Sequence, residues 1–295
     1  MRATIYLIIA TFFLGLNFHL AKIMLKEVNF VEAGFWRFLL GILTLVILGI
    51  KNLPSFKLIR TNLKGISLTG FIGLFGFNIF FFLGLLHTSA VNAALIVALN
   101  PTLTIILSHK ILKTSISKIQ VVGMVIAFFG ATYLVLKGNV TNLNNIRLNH
   151  GDILILIANV FFALHHVWVK KYNHSISNLN FTLLTNLCCL VGFSILLSAN
   201  GVDRITSHTT NFWLAVCGIG CLGTALAYFL WQKGVQMMGP DKAGIYMNII
   251  PLSSALLAFF FNENLYYYHF IGGICIAVGL LISQSATSKS LKTLS

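Results

Sequence analysis

The sequence predicts an all-α membrane protein with ten transmembrane helices, arranged as two inverted five-helix repeats. Three observations carry this prediction. The composition is too apolar for a surface that faces water, ten apolar stretches are long enough to cross a bilayer, and glycine and proline residues recur at a fixed offset along the chain.

The composition requires lipid around the folded chain. Of the 295 residues 57% are hydrophobic and 9% are charged, and the mean hydropathy is +0.89, whereas soluble domains carry about 25% charged residues. A net charge of +14 would suggest nucleic acid for a soluble protein. Here the basic residues lie between apolar stretches, which is typical of membrane loops. We therefore expect a lipid bilayer as partner and no nucleic acid.

Ten stretches qualify as membrane spans, since a helix needs about 20 apolar residues to cross the hydrocarbon core. They are residues 3–21, 30–50, 65–86, 89–109, 118–137, 151–170, 178–199, 212–232, 242–261 and 267–284.

The five cysteines lie inside these stretches without the spacing of metal ligands, so we expect no metal and no cofactor.

The distribution of Lys and Arg predicts the topology. Fourteen of the 20 lie on the side of the N-terminus, five lie on the opposite side, and Arg37 lies inside the second span. Because cytoplasmic loops are enriched in Lys and Arg, we expect both termini in the cytoplasm, and an even number of spans agrees with this.

An offset of 150 residues relates the two halves of the chain. The matched pairs are Pro101 with Pro251, Gly70 with Gly220, Gly73 with Gly223, Gly84 with Gly234, and Gly123 with Gly273. They predict a first repeat over 1–137, a linker over 138–150, a second repeat over 151–284 and a cytoplasmic tail over 285–295. Because five spans are an odd number, the second repeat enters the membrane from the opposite side.

Helix-breaking residues at matching places in inverted repeats indicate a binding site near the middle of the membrane. Pro101 and Pro251 are the candidate hinges, and the alternative is that they only kink two helices for packing. Polar and aromatic residues near them or on shared helix faces are the candidates for binding a substrate. These are Asn17, Asn78, Phe82, Asn100, His165, Tyr228, Trp231, Gln232, Tyr246 and Asn248.

Two of these assignments follow from position. Tyr228, Trp231 and Gln232 are spaced i, i+3 and i+4 and so share one helix face; an aromatic packing stripe is the alternative. Asn17 in the first span corresponds to His165 in the sixth. For Arg37 two interpretations stay open: it attracts an anionic group of the cargo, or it snorkels to the membrane surface and fixes the helix.

The chain resembles the drug/metabolite transporter superfamily, and specifically its EamA-type members with ten helices. The resemblance covers nearly the whole chain. Its strongest segments are GTALAYFLWQKGVQMMGPDKAGIYMNIIP over 223–251 and FNENLYYYHFIGGICIAVGLLIS over 261–283, and it is clear in TSAVNAALIVALNP over 88–101. Where members often carry Trp in the first and sixth spans, this chain has Leu14 and Phe162.

The resemblance implies export of small metabolites, often amino acids or related compounds, and we expect a secondary transporter in a bacterial inner membrane. The alternative is an exchanger of phosphorylated or nucleotide-linked solutes, which needs several cations in the cavity, and only Arg37 and Lys22 are candidates. An intramembrane enzyme needs a nucleophile with a base, or a metal cluster, and the spans contain neither motif. We therefore expect no catalytic residue.

Overall fold

A computed structural model describes residues 2–49, 53–139, 149–172, 176–200, 208–238 and 244–292, and all regular secondary structure in these ranges is helical. The helices are α1 (Arg2–Met24), α2 (Phe30–Gly49), α3 (Phe56–Leu85), α4 (Ala90–Leu112), α5 (Lys118–Val135), α6 (His150–Tyr172), α7 (Asn178–Asn200), α8 (210–238), α9 (a 3₁₀ turn Gly244–Asn248, then Ile249–Ala258) and α10 (Tyr267–Lys292). In these ranges α1 to α8 are long and apolar enough to cross a membrane, and α9 and α10 carry shorter apolar helices. The predicted ten-helix fold class is confirmed.

Local signals set several helix ends. Ser89 and Ser117 each accept a hydrogen bond from the backbone N–H three residues ahead, and the Gln120 side chain completes a capping box at Ser117. Ser55 caps α3 in the same way, so α3 begins at Phe56, nine residues before the predicted start of the span. The search for apolar stretches did not include residues 56–64, because many of them are polar or charged and most are exposed.

Helices α5 and α10 pack backbone against backbone. Gly123 touches the carbonyl of Gly279, and a Cβ at Gly130 would lie 2.7 Å from the carbonyl of Gly272. The low residue numbers of α5 therefore meet the high numbers of α10, and the two helices are antiparallel. Because α5 and α10 are the fifth helices of their repeats, the two repeats have opposite orientations.

The other helix pairs follow the same twofold relation. Helix α1 packs on α8 and α9, while its counterpart α6 packs on α3 and α4. A Cβ at Gly234 on α8 would lie 2.5 Å from Leu7 of α1, and one at Gly84 on α3 would lie 2.7 Å from Ile155 of α6. We call the membrane side where α1 begins and α10 ends the terminal side, and the opposite one the far side.

One paired feature of the fold was not predicted from the sequence. Helix α3 is wound as a π-helix over Leu68–Phe75, and α8 over Gly218–Leu226. The two segments begin 150 residues apart, so they occupy equivalent places in the repeats. π-helical turns inside α-helices are rare and occur frequently at functional sites.

Candidate functional site

A cavity of about 260 Å³ lies between the two repeats, bounded by α1 to α4 and α6 to α9. Six of the sequence-derived candidates line it. They are Asn17, Asn100, Pro101, His165, Tyr228 and Trp231. Its wall is largely aromatic and aliphatic, with a few polar groups, which is the usual make-up of a small-molecule site.

Of the six remaining candidates, the five with described side chains do not line this cavity. Asn78 is buried and donates to the carbonyl of Leu74 at 2.8 Å. Phe82 is fully buried among other rings. Tyr246 donates to Thr4 at 3.3 Å, and Asn248 precedes the first α-helical turn of α9.

Pro251 on α9 and Gln232 on α8 are the two other candidates. Pro251 is partly buried near the start of α9 and is not in the cavity wall. The side chain of Gln232 lies outside the described part of the structure. On α3 the wall is formed by Leu74, Phe77 and Phe81, so Phe81 takes the place that Trp231 has in α8, but Asn78 turns away from the position of Tyr228.

Helix α4 is interrupted at the cavity. Regular helix ends at Val97 and resumes at Asn100, with Pro101 in the first turn of the new segment, where the missing N–H of proline costs nothing. The equivalent place in α9 is the 3₁₀ turn that ends at Asn248. Both helices that carry the matched prolines are therefore irregular on the N-terminal side of the proline.

Side chains from α6 satisfy the groups at the break in α4. Asn100 donates through Nδ2 to Oδ1 of Asn159 at 2.9 Å, and Asn159 donates through its own Nδ2 to the carbonyl of Ile96 at 2.9 Å. Oδ1 of Asn100 lies 2.8 Å from Nδ1 of His166. Since an amide oxygen only accepts, this contact places the proton on Nδ1 of His166.

Asn159 and the wall position of His166 were not predicted from the sequence. Both lie on α6, and a spacing of seven residues puts them on one helix face, two turns apart. That spacing was the available signal, because an amide and an imidazole on one face of an apolar helix need a polar partner on a neighbouring helix.

Each repeat places a polar side chain on the π-helical segment of the other repeat. Asn17 on α1 donates to the carbonyl of Gly223 at 3.3 Å, and Nδ1 of His165 on α6 lies 3.2 Å from the carbonyl of Thr69. The Asn17 side chain lies directly against Gly223, where a Cβ would overlap its amide. Asn17 and His165 therefore pack on Gly223 and Gly73, which are equivalent glycines of the two repeats, but they contact carbonyls that lie one helical turn apart in the repeats.

Arg37 lies inside the protein, not at the membrane surface. Its side chain lines the cavity and the residue is 5% exposed. Nε donates to the hydroxyl of Thr224 at 3.3 Å, and the guanidinium carbon lies 5.6 Å from the ring centre of Phe38. Of the two interpretations that the sequence left open, snorkelling is wrong, because the surrounding aromatic rings hold the side chain among the helices.

The cavity is asymmetric about the twofold axis. On α7 it extends along Asn178 and Thr182 to the terminal end of the helix. The equivalent part of α2 is packed: Ala33 is fully buried, and the ring of Phe193 lies against Gly34. The cavity therefore reaches toward the terminal side and is closed by packing toward the far side.

Polar contacts add to the packing on the far side. The Glu263 carboxylate accepts from the backbone N–H groups of Ala90 and Val91, at 3.1 and 3.3 Å, where α4 begins. A carboxylate is favourable at a helix N-terminus because unpaired N–H groups and the helix dipole meet it. The ammonium of Lys22 donates to the carbonyl of Thr88 at 2.6 Å.

A second far-side contact joins the loop after α1 to the start of α8. The side chain and the backbone N–H of Thr209 donate to the carboxylate of Glu27. These hydrogen bonds lower the pKa of Glu27 from its ordinary value, so the carboxylate stays charged at neutral pH.

Among the described residues, three or more His, Cys, Asp or Glu side chains nowhere come close enough together to hold a metal ion.

The fold and the cavity define a class: an integral membrane protein of inverted repeats with a central cavity beside broken helices, as in secondary transporters. Comparison with known proteins gives the family. The model of the EamA-like transporter family matches residues 1–136 and again residues 149–284. The chain belongs to this family, and its general function is transport.

Related proteins have the same general description. YyaM of Bacillus subtilis (strain 168), an uncharacterized transporter, is 29% identical over 95% of this chain and 93% of its own length. YetK of the same organism, also an uncharacterized transporter, is 25% identical over 96% of this chain and 87% of its own. A solved crystal structure with 18% identity has a TM-score of 0.65 over 97% of this chain and 98% of that chain, which supports the fold.

Proposed function

We propose that the protein is a secondary transporter that exports a small metabolite, an amino acid or a related compound, by alternating access of the central cavity. One observation carries this proposal: among the described residues the cavity reaches toward the terminal side and is closed toward the far side, although the repeats around it are equivalent and inverted. Exchange of the two repeats' conformations closes the terminal side and opens the far side. Transport then needs no continuous pore.

The size and lining of the cavity support a small cargo. A space of about 260 Å³ is slightly smaller than the usual range of small-molecule sites, which begins at about 300 Å³. Phe18, Phe77, Phe162 and Trp231 offer contact for an apolar body, and Tyr228 can hydrogen-bond a polar end. The alternative function, exchange of phosphorylated solutes, is less well supported because Arg37 is the one Lys or Arg among the described residues of the wall.

The proposed orientation follows the charge bias of the loops. Fourteen Lys and Arg residues lie on the terminal side in the sequence and five on the far side, which puts both termini in the cytoplasm. In a bacterial inner membrane the cavity then faces the cytoplasm, where an exporter takes up its cargo.

Counterflow in reconstituted vesicles tests the function. Vesicles loaded with one unlabelled metabolite should accumulate the same labelled compound against its gradient, and a panel of amino acids and related compounds identifies the cargo. We expect Tyr228→Ala to raise the half-saturating concentration about 10-fold, since a buried hydrogen bond and an aromatic contact together contribute on the order of 1–3 kcal/mol.

The matched control is Leu214→Ala, a truncation on the same helix at a side chain that is 64% exposed. It should leave counterflow unchanged. Absence of counterflow for every compound of the panel, in vesicles that contain folded protein, would contradict the proposed function.

A further inference from the structure

Arg37 places a positive charge in the wall of the cavity, and the role assigned to it below rests on the proposed transport function. A cation inside the membrane is costly unless an anion or several acceptors compensate it. Nε donates to Thr224, whose own hydroxyl donates to the carbonyl of Ile219 in the π-helical segment of α8. This arrangement fixes the guanidinium in place but leaves its charge unneutralised.

The carboxylates of the described residues are committed elsewhere. Glu27 accepts hydrogen bonds from Thr209, and Oε1 of Glu32 lies 3.3 Å from Nε2 of His208. Asp152 accepts from the side chains of Thr88 and Asn92. Glu263 accepts from the backbone at the start of α4. Asp203 and Asp241, the two other acidic residues of the chain, lie outside the described ranges. Within those ranges Arg37 has no carboxylate within ion-pair distance.

The free donors of Arg37 belong to the cavity. A guanidinium has five N–H donors, and beyond the contact of Nε no described residue accepts from the terminal nitrogens Nη1 and Nη2. Rings of Phe38, Phe81 and Phe82 lie 5.6, 5.7 and 6.0 Å from the guanidinium carbon. They attract the cation through their π faces but accept no strong hydrogen bond, so two adjacent amino groups remain available to an oxygen pair.

Among the described residues of the wall, a Lys or Arg side chain is present once. The residue equivalent to Arg37 in the second repeat is Thr185, which contacts Gly70 as Arg37 contacts Gly220. Thr185 also lines the cavity and is neutral. The ring nitrogens Nδ1 of His165 and His166 are directed at protein oxygens. One fixed positive charge matches one negative charge on the cargo.

We propose that Arg37 is the residue that binds the cargo's anionic group, and that the cargo is a compound related to amino acids but without their ammonium group, a monoanion with a carboxylate on an apolar body. The two terminal nitrogens of Arg37 hold the two carboxylate oxygens side by side, since guanidinium and carboxylate pair through two parallel hydrogen bonds. The apolar body lies against Phe18, Phe81 and Trp231. Binding removes the unneutralised charge from the membrane interior.

Benzoate and benzamide are the probes, because they share size and shape and differ in one charge. Titration calorimetry at pH 7.5 on the purified full-length protein should show saturable benzoate binding and at least about 10-fold weaker benzamide binding, as expected for loss of one charge-assisted pair. Arg37→Gln should weaken benzoate binding about 10- to 100-fold and leave benzamide binding unchanged. Arg37→Lys should retain part of the affinity for benzoate, since it keeps the charge without the paired geometry.

Arg60→Gln is the matched control: it makes the same substitution at an exposed position of α3 and should bind benzoate like the wild type. If Arg37→Gln does not fold, Arg37→Lys alone must still show weakened benzoate binding. Equal affinity of the wild type for the two probes, unchanged benzoate affinity in the Arg37 variants, or no saturable benzoate binding would each overturn the proposal.

The two proposals fail in different ways. Counterflow of an uncharged compound that Arg37→Gln leaves intact would overturn the role of Arg37 while transport stands. Benzoate binding that depends on Arg37, without counterflow of any compound, would leave the anion site and overturn the transport function.

Discussion

At the scale of single residues, the site is built from contacts between the repeats. Asn17 lies against Gly223, His165 lies against Gly73, and Arg37 reaches Thr224 across the interface. A glycine in each π-helical segment makes room for a polar side chain of the other repeat. Those polar side chains could be proposed from the sequence because an amide or imidazole in an apolar helix needs a partner. Their partners could not, since they are mainly backbone carbonyls.

This close approach predicts the effect of Gly223→Ala. A Cβ at this position overlaps the Asn17 amide, so the amide must leave its place on α8. Overpacking of this kind costs about 1–3 kcal/mol, and we expect a lower Tm together with a several-fold loss of counterflow.

Gly218→Ala is the control in the same π-helical segment. There the added Cβ meets the tip of the Leu20 side chain at 2.7 Å, which can rotate away. Equal Tm and equal transport for the two variants would show that the contact between Asn17 and Gly223 is unimportant.

At the scale of elements, helix positions could be predicted far better than helix irregularities. Length and apolarity identified all ten helices, because the bilayer fixes both. The start of α3 at Phe56 was not predicted because the N-terminal end of this helix is rich in polar residues. The π-helical turns of α3 and α8 were not predicted because their sequences are as apolar as the α-helical turns around them. The matched prolines did indicate where α4 and α9 are irregular.

The break in α4 gives a prediction about its cause. Pro101 lies in the first turn of the new helical segment, where a proline replaces no helical hydrogen bond. Asn159 instead forms hydrogen bonds on both sides of the break, with the carbonyl of Ile96 before it and with the side chain of Asn100 after it. Pro101→Ala should therefore change the free energy of unfolding by less than about 1 kcal/mol. Asn159→Leu leaves buried polar groups without partners and should cost about 1–3 kcal/mol.

Thermal unfolding in the same detergent measures both variants. A larger loss of Tm in Pro101→Ala than in Asn159→Leu would mean that the proline, not the asparagine pair, holds the break.

At the scale of the whole molecule, duplication explains both the architecture and the proposed mechanism. The offset of 150 residues predicted two inverted copies, and the antiparallel contact of α5 with α10 through Gly123 and Gly279 agrees with it. The sequence could not predict which side the cavity reaches, because two equivalent repeats permit either conformation. That asymmetry is a property of the conformation, set by packing such as that of Phe193 against Gly34.

The most direct test of alternating access compares Ala33, on the far-side part of α2, with Thr182, on the corresponding terminal-side part of α7. Each receives a single cysteine in a chain without its native cysteines, and a membrane-impermeant maleimide is applied to one side of the vesicles at a time, with and without the transported compound. Reciprocal change is expected: as Thr182→Cys becomes less reactive from the terminal side, Ala33→Cys becomes reactive from the far side. Simultaneous reaction of both positions, or an Ala33→Cys that never reacts during transport, would contradict the account.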